Sequence, residues 1–362
     1  PFPGLPFTPE GSDISAQIAA HRTELPLHEH MVTMDPPDHA RARSLLSRLL
    51  TPKRISENEQ FMSRLADQFL DEFIDTGSCE LMGHYGKSFA LLTIADLLGV
   101  PEEDHEEFRT VLGAPRKGAR PGALDKEVMA ENPLEWLDTK FTAYLADRRE
   151  NPRNDVLTLL AKATYRDGTV PELVEVVRTA TFLFAAGQET TTKLITAALR
   201  VIGERPDLQQ QLRDDRSLIP TFIEETLRLE SPVKSDFRVA VRDTTLGDTD
   251  VPAGSTVMIC PGAVNRDPET FTEPNEFDIA RENVREQLAF GRGIHSCPGA
   301  PLARAEGRVT IEKFLDRMAD IRISTEHHGP ESNRRYDFEP TYILRGLTEL
   351  HLEFTPIESE QA

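Results

Sequence analysis

The stretch AFGRGIHSCPGAPLARAE, residues 289–306, sets one cysteine between a run of glycines and an apolar helical pattern. Gly291 and Gly293 permit tight backbone turns, and Gly299 leaves no side chain just past the cysteine, so a flat group can approach this backbone closely. Pro298 reads as the first residue of a helix that continues through Leu302, Ala303 and Ala305. That start puts Cys297 at the N-cap, where the helix dipole favours a thiolate. A thiolate so placed is a strong metal ligand. A lone cysteine is more often a buried free thiol at a helix start. A zinc site would pair His295 and Cys297 with a further Cys/His pair at suitable spacing, and the chain has none.

Working outward, the chain of 362 residues contains 41 Lys plus Arg against 61 Asp plus Glu, a net charge of −20 that disfavours nucleic acid and other polyanions. No stretch approaches the roughly 18 apolar residues of a membrane span. Residues 1–13 have neither the basic nor the apolar region of a signal peptide. Cys79, Cys260 and Cys297 are too few and too widely spaced for a disulfide framework, which fits a reducing cytoplasm. Against the acidic background, residues 41–54 (RARSLLSRLLTPKR) hold five basic side chains and no acidic one. This island is either a solvated face or a docking surface.

Residues 40–150 are mainly helical in pattern. Phe61, Leu65, Phe69 and Phe73 recur every four residues as a core stripe. GAPRKGARPGALD (113–125) marks a break between helices. Thr169 and Glu172 have capping-box spacing with Pro171 in the first turn, predicting a helix from near 170 to about 202. Within it, TFLFAAGQETTTKLI sets Gly187, Gln188, Glu189 and a run of threonines into an apolar segment. These residues weaken a helix, and a local widening that admits a small polar ligand is expected. From about 239 the pattern turns to short strands, and YILRGLTELHLEF alternates like a hairpin. No linker or repeat divides the chain, so a single domain over 1–362 is expected.

Phe290-Gly291-x-Gly293-x-His295-x-Cys297-x-Gly299 resembles the haem-binding loop of cytochromes P450. Other stretches resemble the same family. Glu225-Thr226-Leu227-Arg228, followed by Ser231-Pro232-Val233 and Arg238, is similar to its E-x-x-R region. MDPPDHARAR, with His39 and Arg43 on one helix side, is similar to its propionate-binding helix, and Ala186-Gly187-Gln188-Glu189-Thr190 to its oxygen-activation motif.

The resemblance implies a mainly α fold with small β-sheets, of the soluble bacterial type. It implies haem b with Cys297 as thiolate ligand to the iron, a cradle including Phe290, Gly291, His295, Gly299, Ala186 and Gly187, and His39, Arg43 and Arg238 on the propionates. Glu225 and Arg228 become a structural pair, and Glu189 and Thr190 the acid and hydroxyl that steer protons to bound O2. Phe182, Val233, Ile343, Leu344 and the start of the chain would line the pocket for an apolar terpenoid, steroid, lipid or polyketide-like substrate.

The chain contains no G-x-G-x-x-G fingerprint and no cysteine set for an iron–sulfur cluster. Electrons are therefore expected from a separate ferredoxin and NAD(P)H-dependent reductase, steered to the basic island, in a cytoplasmic monomer. The family's usual first helix and opening strands precede the matching region, and their absence from this chain would leave sheet edges uncovered. On that ground a truncated haem-thiolate protein that binds ligands or senses gas without turnover is the alternative to a monooxygenase. Pro298 has no N–H to offer the sulfur, which implies a more electron-donating thiolate.

Overall fold

A computed structural model describes residues 5–25, 27–46, 49–113 and 133–357. Its helices, in chain order, are α1 (Ser15–Ala20), α2 (Asp38–Leu46), α3 (Pro52–Asp71), α4 (Lys87–Leu98), α5 (His105–Gly113), α6 (Pro133–Glu150), α7 (Val156–Ala161), α8 (Leu173–Glu204), α9 (Pro206–Asp214), α10 (Ile219–Glu230), α11 (Pro261–Val264), α12 (Ala300–Arg317) and α13 (Thr325–His328). The strands are β1 (Ser78–Glu80), β2 (Asp236–Val239), β3 (Thr244–Leu246), β4 (Thr249–Val251), β5 (Thr256–Ile259), β6 (Met318–Ile323) and β7 (His351–Pro356).

Prolines and caps punctuate this order. Thr51 accepts the Arg54 N–H ahead of Pro52, starting α3, and Pro206 opens α9 as α8 ends at Arg205. The α3 stripe is core, with Leu65, Phe69 and Phe73 buried and Phe61 packed partly against them. The centre of the molecule is α8, 32 residues long, which packs against α4, α6, α10 and α12. Its box lies one turn later than the sequence suggests. Glu172 is the N-cap and Glu175 reaches back to it, while Thr169 bonds instead to Asp167. The expected widening is also absent: α8 is a continuous α-helix, its Thr190 and Thr192 hydroxyls donating to the carbonyls of Ala186 and Gln188 at 2.9 Å each. Back-bonding of this kind lets threonine sit mid-helix without opening the backbone.

The strands form a β1-β7-β6 sheet and two antiparallel pairs, β2-β5 and β3-β4. The C-terminal segment is not a simple hairpin. Only His351–Pro356 joins a sheet, and residues 338–347 form a loop closed by a Phe338–Leu347 bridge. Among the described residues no helix is long and apolar enough to cross a membrane. The break at 113–125 lies, after Gly113, outside the described residues.

The Glu225/Arg228 pair fixes the approach to the cysteine loop. Both side chains are fully buried. Arg228 grips Glu225 through two bonds of 2.7 Å, and its remaining donors reach the carbonyls of Asn265, Pro274 and Glu276. Arg281 adds a second guanidinium, 3.1 Å from Glu225 Oε1. At the end of α10, Ser231 takes a left-handed φ of 38°, held where its hydroxyl reaches the Leu227 and Arg228 carbonyls and accepts from Asn265 Nδ2. Replacing Arg281 with Met leaves a buried carboxylate with half its charge compensation. Urea unfolding should show a loss of about 3–5 kcal/mol, and a loss below about 1 kcal/mol would mean the second guanidinium is dispensable.

Candidate functional site

Cys297 sits on a tight turn. Its N–H donates to the Phe290 carbonyl at 2.8 Å, and the Ser296 N–H to the Gly293 carbonyl at 3.1 Å. Gly291 and Gly293 take the φ values of 66° and 75° that glycine tolerates. The helix begins later than the sequence suggests. Gly299 is the N-cap of α12 and Pro301 falls in its first turn, so Cys297 precedes the cap rather than forming it. A Cβ at Gly299 would lie 3.8 Å from Cys297 Sγ, an ordinary contact. The sulfur nevertheless receives the helix-start amides. Protein packed around the thiol pushes its pKa up, while the Gly299 and Ala300 N–H groups and then the Arg43 and Arg304 charges pull it down. Of the three cysteines, all free, Cys79 is buried with its pKa pushed up to about 12, Cys260 is half-buried, and Cys297 is exposed.

Basic groups gather beside it. Arg43 donates to the Ser296 carbonyl at 2.7 Å, and the His39 and His295 rings lie 4.2 Å apart. Burial and then the His295 charge lower the pKa of His39. Burial and then Arg238 lower that of His295. Arg238 itself bonds Asp236 at 2.6 Å. Among the described residues His39 Nε2 is buried without a hydrogen-bond partner, a cost proteins avoid unless a ligand meets the group. These residues fit an iron porphyrin bearing carboxylate arms: one thiol, glycine turns, and a basic cluster with an unsatisfied imidazole.

On α8, the Thr190 hydroxyl is held by Ala186, whose residue is exposed; Gly187 is half-buried against Ile94. Glu189 is 56% exposed, and its carboxylate engages Lys193 rather than Thr190. The expected pocket residues divide. Val233 and Leu344 are bridged, with Lys234 N–H on the Ile343 carbonyl at 2.8 Å. Phe182 instead lines a cavity of about 170 Å³ with His30, Met31 and Met34. A larger cavity of about 500 Å³ is lined by Glu189, Lys193 and Glu339 but by neither Thr190 nor Cys297. Of the start of the chain, the described residues 9–14 pack beside Val241 and Gly254. Ile14 donates to the Val241 carbonyl at 2.8 Å, and Pro9 lies against Gly254.

Sequence reasoning missed Arg281, Glu224, Asn265 and Lys193. Glu224 binds Arg304 and accepts from Gln287 at 3.0 Å, joining α10 to both sides of the cysteine turn. Asn265 accepts the Leu288 N–H at 2.7 Å. A signal existed for Arg281, since a buried carboxylate has more acceptor sites than one guanidinium fills. For Asn265 there was none.

A cysteine held on a glycine turn, with Arg43 on the neighbouring Ser296 carbonyl and the His39 and His295 rings 4.2 Å apart, is the arrangement a haem-thiolate enzyme requires. The chain belongs to the cytochrome P450 family. The family model described as Cytochrome P450 matches residues 127–319. The chain is 34% identical over 325 residues to Cytochrome P450 107B1 of Saccharopolyspora erythraea, covering 90% of this chain and 77% of that one. It is 36% identical over 318 residues to Putative cytochrome P450 126 of Mycobacterium tuberculosis, covering 86% and 76%. Among solved structures, substrate-free CYP150A6 of Mycobacterium marinum superposes with a TM-score of 0.92 at 62% identity, covering 99% of this chain and 84% of that one. CYP109E1 of Bacillus megaterium in complex with corticosterone gives 0.82 at 29% identity, covering 90% and 86%. The protein is a cytochrome P450 monooxygenase of bacterial type with a mainly helical fold, using haem b, a cysteine thiolate ligand and O2.

Because Pro298 lacks an N–H, the amides at the sulfur are those of Gly299 and Ala300. Pro298→Leu supplies a third donor and should raise the iron reduction potential by about 40 mV, the equivalent of one hydrogen bond of about 1 kcal/mol. Spectroelectrochemistry reads this directly, and an unmoved potential would count against the second-sphere argument.

Proposed function

We propose that Cys297 is the thiolate that would hold the haem iron and that this protein hydroxylates an apolar small molecule of terpenoid, steroid, lipid or polyketide-like character. The observation that carries the reading is the free Cys297 two residues from His295, whose ring lies 4.2 Å from that of His39, with His39 Nε2 unpartnered among the described residues. A steroid-bound relative, CYP109E1, supports an apolar substrate. Haem b supplies activation of O2 under the push of its thiolate. The chain's own residues do the rest, as a single domain over 1–362.

His39, Arg43, His295 and Arg238 bind the carboxylate arms, and Phe290, Gly291, Gly299, Ala186 and Gly187 form the cradle. Arg304, stacked 4.7 Å from the Phe290 ring centroid and held by Glu224, keeps the cysteine turn in place. Thr190 holds a hydroxyl on the α8 face, and Glu189 exchanges protons between solvent and that hydroxyl. Val233, Ile343 and Leu344 orient the substrate on one side and Phe182 on the other, excluding water.

Reduction is assigned to a separate ferredoxin and NAD(P)H-dependent reductase in the cytoplasm. The basic island is less free than its sequence suggests: Arg41 stacks 3.7 Å over Tyr165 and Arg43 turns inward. Lys53 is 85% exposed, Arg54 is half-buried, and Arg48 lies outside the described residues. Neutralising Lys53 and Arg54 should therefore slow reduction severalfold at low salt and not at high salt, as stopped-flow reduction at two ionic strengths would record.

The absorption spectrum of the reduced, CO-bound protein tests the ligand. A strongly red-shifted Soret band is expected for the parent and its loss for Cys297→Ser. A shifted band retained in the serine variant would overturn the assignment. Thr190→Ala should lower product per NAD(P)H consumed by about 10²-fold while CO binding persists. A ligand-binding or gas-sensing protein would show no product from either form.

A further inference from the structure

Lys193 is a charge that the reading above does not use. Its side chain is 1% exposed on α8, and an ammonium so buried needs close partners. Its Nζ lies 2.8 Å from Glu189 Oε1 and 2.8 Å from Glu339 Oε2. Gly346 makes room for its stem. A Cβ there would fall 2.5, 2.8 and 2.9 Å from Cγ, Cδ and Cε of Lys193. The loop and the lysine are thus fitted to each other by a missing side chain as well as by charge.

Glu339 and Gly346 stand at the base of one loop, where the Glu339 N–H donates to the Gly346 carbonyl at 3.0 Å. The tip of that loop is pinned by the Leu344 N–H on Thr341 Oγ1 at 2.8 Å and carries Ile343 and Leu344. One lysine therefore joins the α8 carboxylate to the segment assigned to substrate. The two arms are unequal. Glu189 is 56% exposed and Glu339 23%, so water competes more strongly for the Glu189 arm, which is the weaker. Movement of the loop that carries Lys193 with it breaks that arm first.

We propose that Lys193 is a positioning residue that latches the Glu189 carboxylate away from Thr190 until substrate, pressing on Ile343 and Leu344, shifts the loop and frees it. The inference rests on the reading of Glu189 as the proton-exchanging acid. It makes proton delivery conditional on an occupied pocket. Without the latch, NAD(P)H passes two electrons through the ferredoxin to O2, which with two protons leaves as hydrogen peroxide, and no substrate is needed.

The test uses the haem-loaded protein with ferredoxin and reductase in excess and no substrate. Lys193→Met should raise peroxide release about fivefold, the lower end of ordinary coupling between sites. Lys193→Arg, which keeps a cation for both carboxylates, should restore the parent rate. Gly346→Ala, which displaces the stem while all charges remain, should raise it as Lys193→Met does and serves if that variant folds poorly. Hydrogen–deuterium exchange provides a readout independent of turnover: amides of 339–347 should exchange faster in Lys193→Met. Glu189→Gln in the Lys193→Met background should cancel the extra peroxide. If Glu189→Gln alone changes neither coupling nor the solvent isotope effect on turnover with an accepted substrate, the acid reading fails. If Glu189→Gln changes them but Lys193→Met leaves both peroxide and exchange at parent values, the latch alone is overturned.

Discussion

The carboxylate of Glu225 is the constraint on which the cysteine turn depends. Two guanidiniums, Arg228 and Arg281, and the Asp278 N–H converge on it in full burial. A charge there is tolerable only because every lone pair is engaged. The same Arg228 carries outward to the carbonyls of Asn265, Pro274 and Glu276, so α10 dictates the path of an otherwise irregular segment. Asn265 passes that order on, accepting the Leu288 N–H just before the turn that presents Cys297. The adjacent Glu224 points to the other side of α10 and takes Gln287 and Arg304. Neighbouring carboxylates thus hold the two flanks of one loop.

Much of this was legible in the sequence, for a local reason. The cysteine turn, the E-x-x-R pair and the α8 motif are each made of residues within a few positions of one another, and their spacing survives folding unchanged. The short strands between about 239 and 260 were legible too, because alternation needs no distant partner, whereas the β1-β7-β6 sheet, joined from distant segments, was not. Boundaries were not. Pro298 suggested a helix start, yet α12 begins at Ala300 because Gly299 takes the cap and Pro301 supplies the first-turn proline. Thr169 lost the α8 cap to Glu172, whose partner Glu175 satisfies it from the same turn.

What the sequence concealed is long-range. Arg281 lies 56 positions from Glu225, and Glu339 lies 146 from Lys193. Neither separation repeats a helical or strand period. Phe182 shows the same limit. Its place on α8 was readable, but the side of the helix it faces is decided by His30 and its neighbours, whose rings meet at 5.9 Å.

The helix that follows the cysteine turn, α12, packs directly against α8. Their contact includes a buried polar pair, Thr191 donating to Glu306 at 3.1 Å, and one turn further along α12 Thr310 meets Tyr85, from the segment before α4, at 2.9 Å. Burial drives the Glu306 pKa far up, with only Thr191 opposing it. That buried hydrogen bond ties the two helices together across their contact, where an unpaired polar group would be costly. The charges the site does use, Glu189 and Lys193 on one side and the His39–Arg43–His295–Arg238 group on the other, stand apart from the Glu225 cluster, whose two guanidiniums are taken up by that carboxylate and nearby carbonyls.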